Sequence, residues 1–212
     1  MKMITLALAL GKSRNPNMRD YRQIADLHIS NLDQSFLSSL GSVFLSELYR
    51  AMDKSDSSSL IYETAEGIIV GFVTGGTSMG SIYKAMFPRI MFWGVPLALQ
   101  LLSLRRIGRV VDILRYTRNS EESSGSELAL PQAELFSIAV SPSVRGKGIA
   151  QKLYTQLIED FKNKGIESFR IVVGKDLEPA HKFYVKMGAE VAHEMELHSG
   201  ETSKVYIHNI LL

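Results

Sequence analysis

Ser141-Pro142-Ser143-Val144-Arg145-Gly146-Lys147-Gly148-Ile149-Ala150 is the part of this 212-residue chain whose residue types point most directly to chemistry. Its glycines let the backbone turn sharply and let another group come close to its N–H atoms. A helical pattern follows, and a helix N-terminus adds unpaired donors and the positive end of a dipole. Arg145 and Lys147 add charge. Together these features can cradle a pyrophosphate. The same residues can equally make a tight strand-to-helix turn on which basic side chains merely sit. The stretch is not a Walker A loop, because no Gly-Lys-Ser/Thr follows, and it lacks the spacing of the three-glycine dinucleotide fingerprint.

Other combinations are poorer in chemistry. The chain has no cysteine, which excludes disulfide scaffolds, thiolate metal sites and cysteine nucleophiles. His193-Glu194-Met195-Glu196-Leu197-His198 contains metal-ligand types, but strand alternation sends the two histidines to opposite faces. No nucleophile-elbow sequence supports Ser/His/Asp catalysis. His181 reads as a helix-surface residue.

The elements that must position the glycine turn are legible on both sides of it. Glu134 to Val140 is a strand closed by Ser141-Pro142. Ala150, Leu153, Tyr154, Leu157, Ile158 and Phe161 form the apolar stripe of a helix stopped by Gly165. Phe169 to Val173 is the next strand, followed by a short helix from Glu178 to Met187 that stops at Gly188. Two strands, Glu190 to Leu197 and Lys204 to Leu211, end the chain. Upstream, Asp20 with Gln23 has capping-box spacing, and Tyr21, Ile24, Leu27 and His28 recur on one face of a helix from Asp20 to Leu32. Phe36, Leu40, Val43, Phe44, Leu48 and Met52 mark a second helix. Strands at 60–63 and 68–73, joined through Ala65-Glu66-Gly67, read as a hairpin. Ile4 to Leu10 reads as a first strand, since a signal peptide would need a longer apolar core and a small-residue cleavage site. With 45% hydrophobic and 22% charged residues and strands alternating with helices, the expectation is one α/β domain over residues 1–212, in the cytoplasm.

Residues 81–118 are a long, apolar, mainly helical insertion before the strand at 134, and 119–132 is a polar loop. From 84 to 118 seven basic residues stand against Asp112 alone. That net +6 leaves −4 for the rest of a chain whose total is +2. Arg105, Arg106 and Arg109 fall on the face opposite the leucines. The arginines suit a negatively charged acceptor, a solvated surface or a peripheral membrane contact; the run is too short to span a bilayer. The overall charge does not argue for nucleic acid.

Arg145-Gly146-Lys147-Gly148-Ile149-Ala150 fits the pattern Arg/Gln, any, any, Gly, any, Gly/Ala, and Val140-Ser141-Pro142 precedes it. Downstream, Ala180-His181-Lys182-Phe183-Tyr184-Val185-Lys186-Met187-Gly188-Ala189 has the form A-x-x-F-Y-x-K-x-G. In this order and separation the two segments resemble the GNAT superfamily of N-acetyltransferases. The likeness covers about residues 134–190. Leu177 stands where the family often has Asn, and Ala189 where it often has Phe. The first removes one polar contact to the cofactor.

The resemblance implies a mixed twisted sheet of about six or seven strands flanked by helices, with its central strands splaying apart after Val140. It implies acetyl-CoA as co-substrate. Backbone groups of Ile138, Ala139 and Val140 would bind its pantetheine arm, and N–H groups of Arg145, Gly146, Lys147, Gly148, Ile149 and Ala150 its pyrophosphate. Tyr184 becomes the candidate general acid, and Glu134 the candidate base, with ordered water as the other route. The expected reaction moves an acetyl group directly to a primary amine of a small molecule such as an amino sugar. The expectation includes no metal and no nucleic acid, and a monomer or homodimer. The other reading is a catalytically silent module of the same fold that binds CoA or a partner.

Overall fold

The computed structural model describes residues 16–32, 37–86, 130–196 and 202–210, with the side chains of 195 and 196 excepted. The strand expected at 4–10, His198 and most of the apolar basic insertion lie outside the described residues. Of that insertion, residues 81–86 continue a helix that begins at 79, with Ile82 and Met86 buried.

Helix α1 (Met18–Asn31) begins at an Asn17 cap rather than at the expected Asp20/Gln23 box. Asn17 Oδ1 accepts from the Arg19 and Asp20 N–H groups at 2.8 and 3.2 Å, and Asp20 accepts from the Asn17 N–H at 2.8 Å. The box is thus shifted three residues upstream, because Asn17 already has the extended backbone of a cap. A 3₁₀ turn, Leu37–Leu40, leads into α2 (Gly41–Asp53). The hairpin is β1 (Ser58–Ala65) and β2 (Ile68–Gly76). Its two turn residues, Glu66 and Gly67, both have positive φ, as a tight hairpin matching strand twist requires.

The remaining elements are β3 (Ala133–Val140), α3 (Ile149–Asn163), β4 (Ser168–Gly174), α4 (Glu178–Lys186), β5 (Glu190–Glu196) and β6 (Thr202–Asn209). The six described strands form one sheet in the order β1-β2-β3-β4-β6-β5, antiparallel except for β3 against β4.

Two apolar layers cover the two faces. Tyr21, Ile24, Leu45, Leu48, Tyr49 and Met52 of α1 and α2 pack on Ile69 and Phe72. Leu153, Tyr154, Leu157 and Phe161 of α3 pack on Val70, Val73, Leu135, Phe169 and Ile171 on the other side. β2 is therefore buried on both faces along almost its whole length, which explains its unbroken apolar reading. Its glycines set how closely α3 lies. A Cβ at Gly75 would come within 2.8 Å of both the Phe161 ring and the Glu134 carbonyl.

Candidate active site

β3 and β4 run parallel but pair only at Ala133 with Phe169 and Glu134 with Arg170. From Leu135 onward the two strands no longer pair, while β4 stays paired with β6 along its other edge from Ser168 to Gly174; among the described residues the parted edge of β3 has no partner strand. The parting therefore begins six residues before the expected point at Val140. A bulge accompanies it. Thr74 faces Ser137 and Gly75 faces Leu135, so Phe136 is an extra residue on β3. A bulge bends its strand and strengthens the local twist, which carries β3 away from β4. Ile138, Ala139 and Val140 all lie on the parted length.

The glycine turn grows from the C-terminal end of β3. The Ser141 N–H donates to the Val70 carbonyl at 2.8 Å, and Pro142–Val144 forms a single 3₁₀ turn. Gly146 and Gly148 then adopt φ of 79° and 80°, a left-handed conformation that costs other residues about 1–2 kcal/mol. Gly148 is the N-cap of α3 and supplies no side-chain cap. Among the described residues, the N–H groups of Gly146, Lys147, Gly148, Ile149 and Ala150 have no hydrogen-bond partner. A Cβ at Gly146 would meet nothing within 4 Å, and one at Gly148 only the Gln151 side chain at 3.4 Å. An open row of donors at a helix N-terminus fits a pyrophosphate. Lys147 is exposed beside it. Arg145 instead folds back: its Nη2 donates to Asn31 Oδ1 at 2.8 Å, and its Nε lies 3.4 Å from the Val140 carbonyl. It ties the turn to the end of α1.

α4 follows the C-terminal end of β4, the other strand of the parting pair. Tyr184 is 5% exposed, and its ring packs against Tyr154, Phe183 and Tyr206. Burial pushes its hydroxyl pKa well above the ordinary tyrosine value, so the phenol is a neutral proton donor. Its hydroxyl has no partner among the described residues. His181 is buried rather than on the surface, because α4 lies with that side against β6. Its Nε2–H donates to the Lys175 carbonyl at 3.0 Å, which leaves Nδ1 to accept from the Tyr206 hydroxyl at 2.8 Å. Leu177, at the N-cap of α4, is exposed and makes no side-chain cap.

Glu134 sits where the strands part, and its Oε2 accepts from both Nε and Nη2 of Arg170 at 2.9 Å. Oε1 has no partner among the described residues.

Sequence reasoning missed a second polar chain. His28 Nδ1 and the Tyr49 hydroxyl are 2.5 Å apart, and Tyr49 is also hydrogen-bonded to Ser137 on the parted length of β3. A histidine inside the apolar stripe of α1 was the available signal; Tyr49 lies 21 residues from it in sequence, and Ser137, which meets Tyr49, lies 109 residues from it. His193 lies on β5, and among the described residues no three His, Asp or Glu side chains gather as a metal site would require.

Comparison with known proteins follows the same lines. No curated protein sequence matches the chain. Among solved structures it is similar to an N-acetyltransferase from Staphylococcus aureus Mu50 (17% identity, TM-score 0.59, covering 93% of this chain and 97% of that one). It is also similar to the ribosomal-protein-S18-alanine N-acetyltransferase of Escherichia coli (12%, 0.56, 94% and 93%). A third likeness is to an aminoglycoside 6'-N-acetyltransferase complexed with coenzyme A (11%, 0.58, 96% and 97%). These likenesses establish the fold. The family model described as "Acetyltransferase (GNAT) family" matches residues 28–189, a span that includes the parted strands, the glycine turn and Tyr184. On that match the chain belongs to the GNAT acetyltransferase family.

Proposed function

We propose that this protein is a single-domain N-acetyltransferase that moves the acetyl group of acetyl-CoA directly to a primary amine of a small molecule. The observation that carries the reading is the parting of β3 from β4. The glycine turn stands at the end of one strand and Tyr184 follows the end of the other. The open β3 edge offers backbone groups of Ile138, Ala139 and Val140 to the pantetheine arm. Donors from Gly146 to Ala150 take the pyrophosphate, and Lys147 adds charge. The Arg145 N–H, expected among those donors, already donates to the Pro142 carbonyl at 3.4 Å, so Arg145 would hold the turn against α1 instead.

Acetyl-CoA supplies the activated acyl group; this chain's residues manage protons. A primary amine reaches the site as an ammonium ion and must lose one proton to become a nucleophile. It loses a second as the amide bond forms. The departing sulfur needs one proton back. Tyr184, neutral and buried, donates to sulfur. Glu134, with Oε1 free of Arg170, takes the first proton from the ammonium, directly or through water. Strand backbone beside the thioester would stabilise charge developing on the carbonyl oxygen.

The direct test has two parts. Calorimetric titration with CoA measures cofactor binding. Release of free CoA from acetyl-CoA is then followed with kanamycin, spermidine and an alanine-initial peptide as acceptors. Micromolar CoA binding with amine-dependent release is the expected result. Binding without release to any amine would favour the silent module.

A further inference from the structure

α4 carries the candidate acid and is only nine residues long. A helix this short does not hold itself in water and takes its place from packing. Two of its side chains, His181 and Tyr184, are buried, and the rest are exposed or half-buried. Leu177 gives its N-terminus no side-chain cap. Among the described residues, the side-chain hydrogen bonds that leave α4 are the two made by His181.

Those two bonds reach different elements. Nε2–H donates to the Lys175 carbonyl, in the turn that follows β4. That turn is itself tied to the start of β6, because the Lys175 N–H donates to the Thr202 carbonyl at 3.0 Å. Nδ1 accepts from the Tyr206 hydroxyl on β6. A carbonyl can only accept, so the ring proton that meets Lys175 stands on Nε2, and both nitrogens are used. Tyr206, 2% exposed, is the common neighbour: its ring centroid lies 5.8 Å from that of His181 and 6.2 Å from that of Tyr184. His181 and Tyr184 stand three residues apart, on one face of the helix. The Tyr184 ring therefore leans on a ring whose orientation the His181 bond fixes. A general acid contributes only when its proton is within hydrogen-bond reach of the departing atom, and a misplacement of about 1 Å can cost 10²-fold.

We propose that His181, through Tyr206 and the Lys175 carbonyl, sets the position from which Tyr184 gives its proton to the departing sulfur. The inference rests on the acetyl-transfer reading above. His181 and Tyr206 touch no reacting atom in this scheme; they are positioning residues that act through Tyr184. His181→Leu fills the space but leaves the Tyr206 hydroxyl and the Lys175 carbonyl unpaired. His181→Asn keeps an amide oxygen near the place of Nδ1 and so retains an acceptor for Tyr206.

The test follows free CoA released from acetyl-CoA with hydroxylamine, spermidine and kanamycin as acceptors, well below the Tm of each variant. His181→Leu and Tyr206→Phe should each lower kcat by about 10-fold with the acetyl-CoA KM unchanged. Combining them should cost little more than either alone, because they break one bond. His181→Asn should restore kcat to within a few-fold of wild type. Tyr206→Phe keeps the ring, so it tests the bond even where His181→Leu fails to fold. The decisive background is Tyr184→Phe: there His181→Leu or Tyr206→Phe should leave the remaining kcat unaltered, since the group they position is gone. General loosening of the fold would lower kcat in both backgrounds. Unaltered kcat in folded Tyr206→Phe, or an equal loss in the Tyr184→Phe background, overturns the positioning role and leaves acetyl transfer standing. A wild type that releases no CoA to any of these acceptors overturns both.

Discussion

Glu134 and Arg170 are partners twice over: they are the last Cα pair before β3 and β4 part, and their side chains close the same point with two hydrogen bonds to one carboxylate oxygen. The pair acts as a clasp at the base of the cleft, and it holds one face of the candidate base while leaving the other oxygen available.

That double role separates two variants. Glu134→Gln and Arg170→Met should each lower stability by about 1 kcal/mol, because each breaks a half-buried, charge-assisted pair. Only Glu134→Gln should also lower kcat with an ammonium acceptor such as spermidine, by about 10²-fold. Thermal melts and steady-state kinetics check this. Equal kcat in both variants would reduce Glu134 to the clasp alone.

Gly148 caps α3 with a φ of 80° and presents the donor row of the turn. Gly148→Asp places a side chain and a negative charge where phosphate must approach. The CoA dissociation constant should rise by about 100-fold or more, while the strained backbone costs about 1 kcal/mol of stability. Titration calorimetry beside a melting curve distinguishes lost binding from lost folding. Unchanged affinity in the folded variant would remove the turn from the CoA site.

Tyr184→Phe keeps the packing among Tyr154, Phe183 and Tyr206 and removes the acid. Turnover should fall by about 10²-fold, with acetyl-CoA affinity within a few-fold of wild type. Because burial raises the Tyr184 pKa, its ionisation should produce no alkaline decline below about pH 10. Steady-state kinetics and direct binding measure the two quantities separately. Retained turnover would make Tyr184 a packing residue.

Burial lowers His28 from 6.5 to about 4, which also makes a prediction about stability. Between those values the unfolded chain binds a proton that the folded chain excludes, so stability rises with pH across the window. The contribution is complete above 6.5 and is lost as pH falls toward 4, up to about 3 kcal/mol. His208, lowered by the same cause, adds with the same sign. His28→Gln should flatten the dependence of Tm on pH between 4 and 7. An unaltered slope would mean that His28 titrates alike in both states.

The local elements could be read from one dimension because their signals are local. The stripe from Ala150 to Phe161, the Gly165 stop, the Glu66-Gly67 turn and the two motif segments each depend on residues within a few positions of one another. Side-chain period and backbone sterics therefore determined them before any packing. The glycine turn and Tyr184 were legible for the same reason, as short runs of fixed spacing. What only the tertiary structure decided were relations between distant residues. The bulge at Phe136 exists because β2 offers one residue fewer than β3 there, and the parting begins after Glu134, where that bulge bends β3 away from a β4 that β6 holds along its whole length. His181 looked like a surface residue on its own helix and became buried only when β6 brought Tyr206 against it. His28, Tyr49 and Ser137 come from two helices and a strand, so no sequence spacing relates them. Short-range sterics set which elements form; which side chains meet across the sheet is set by strand pairing and by the burial of two apolar layers at once.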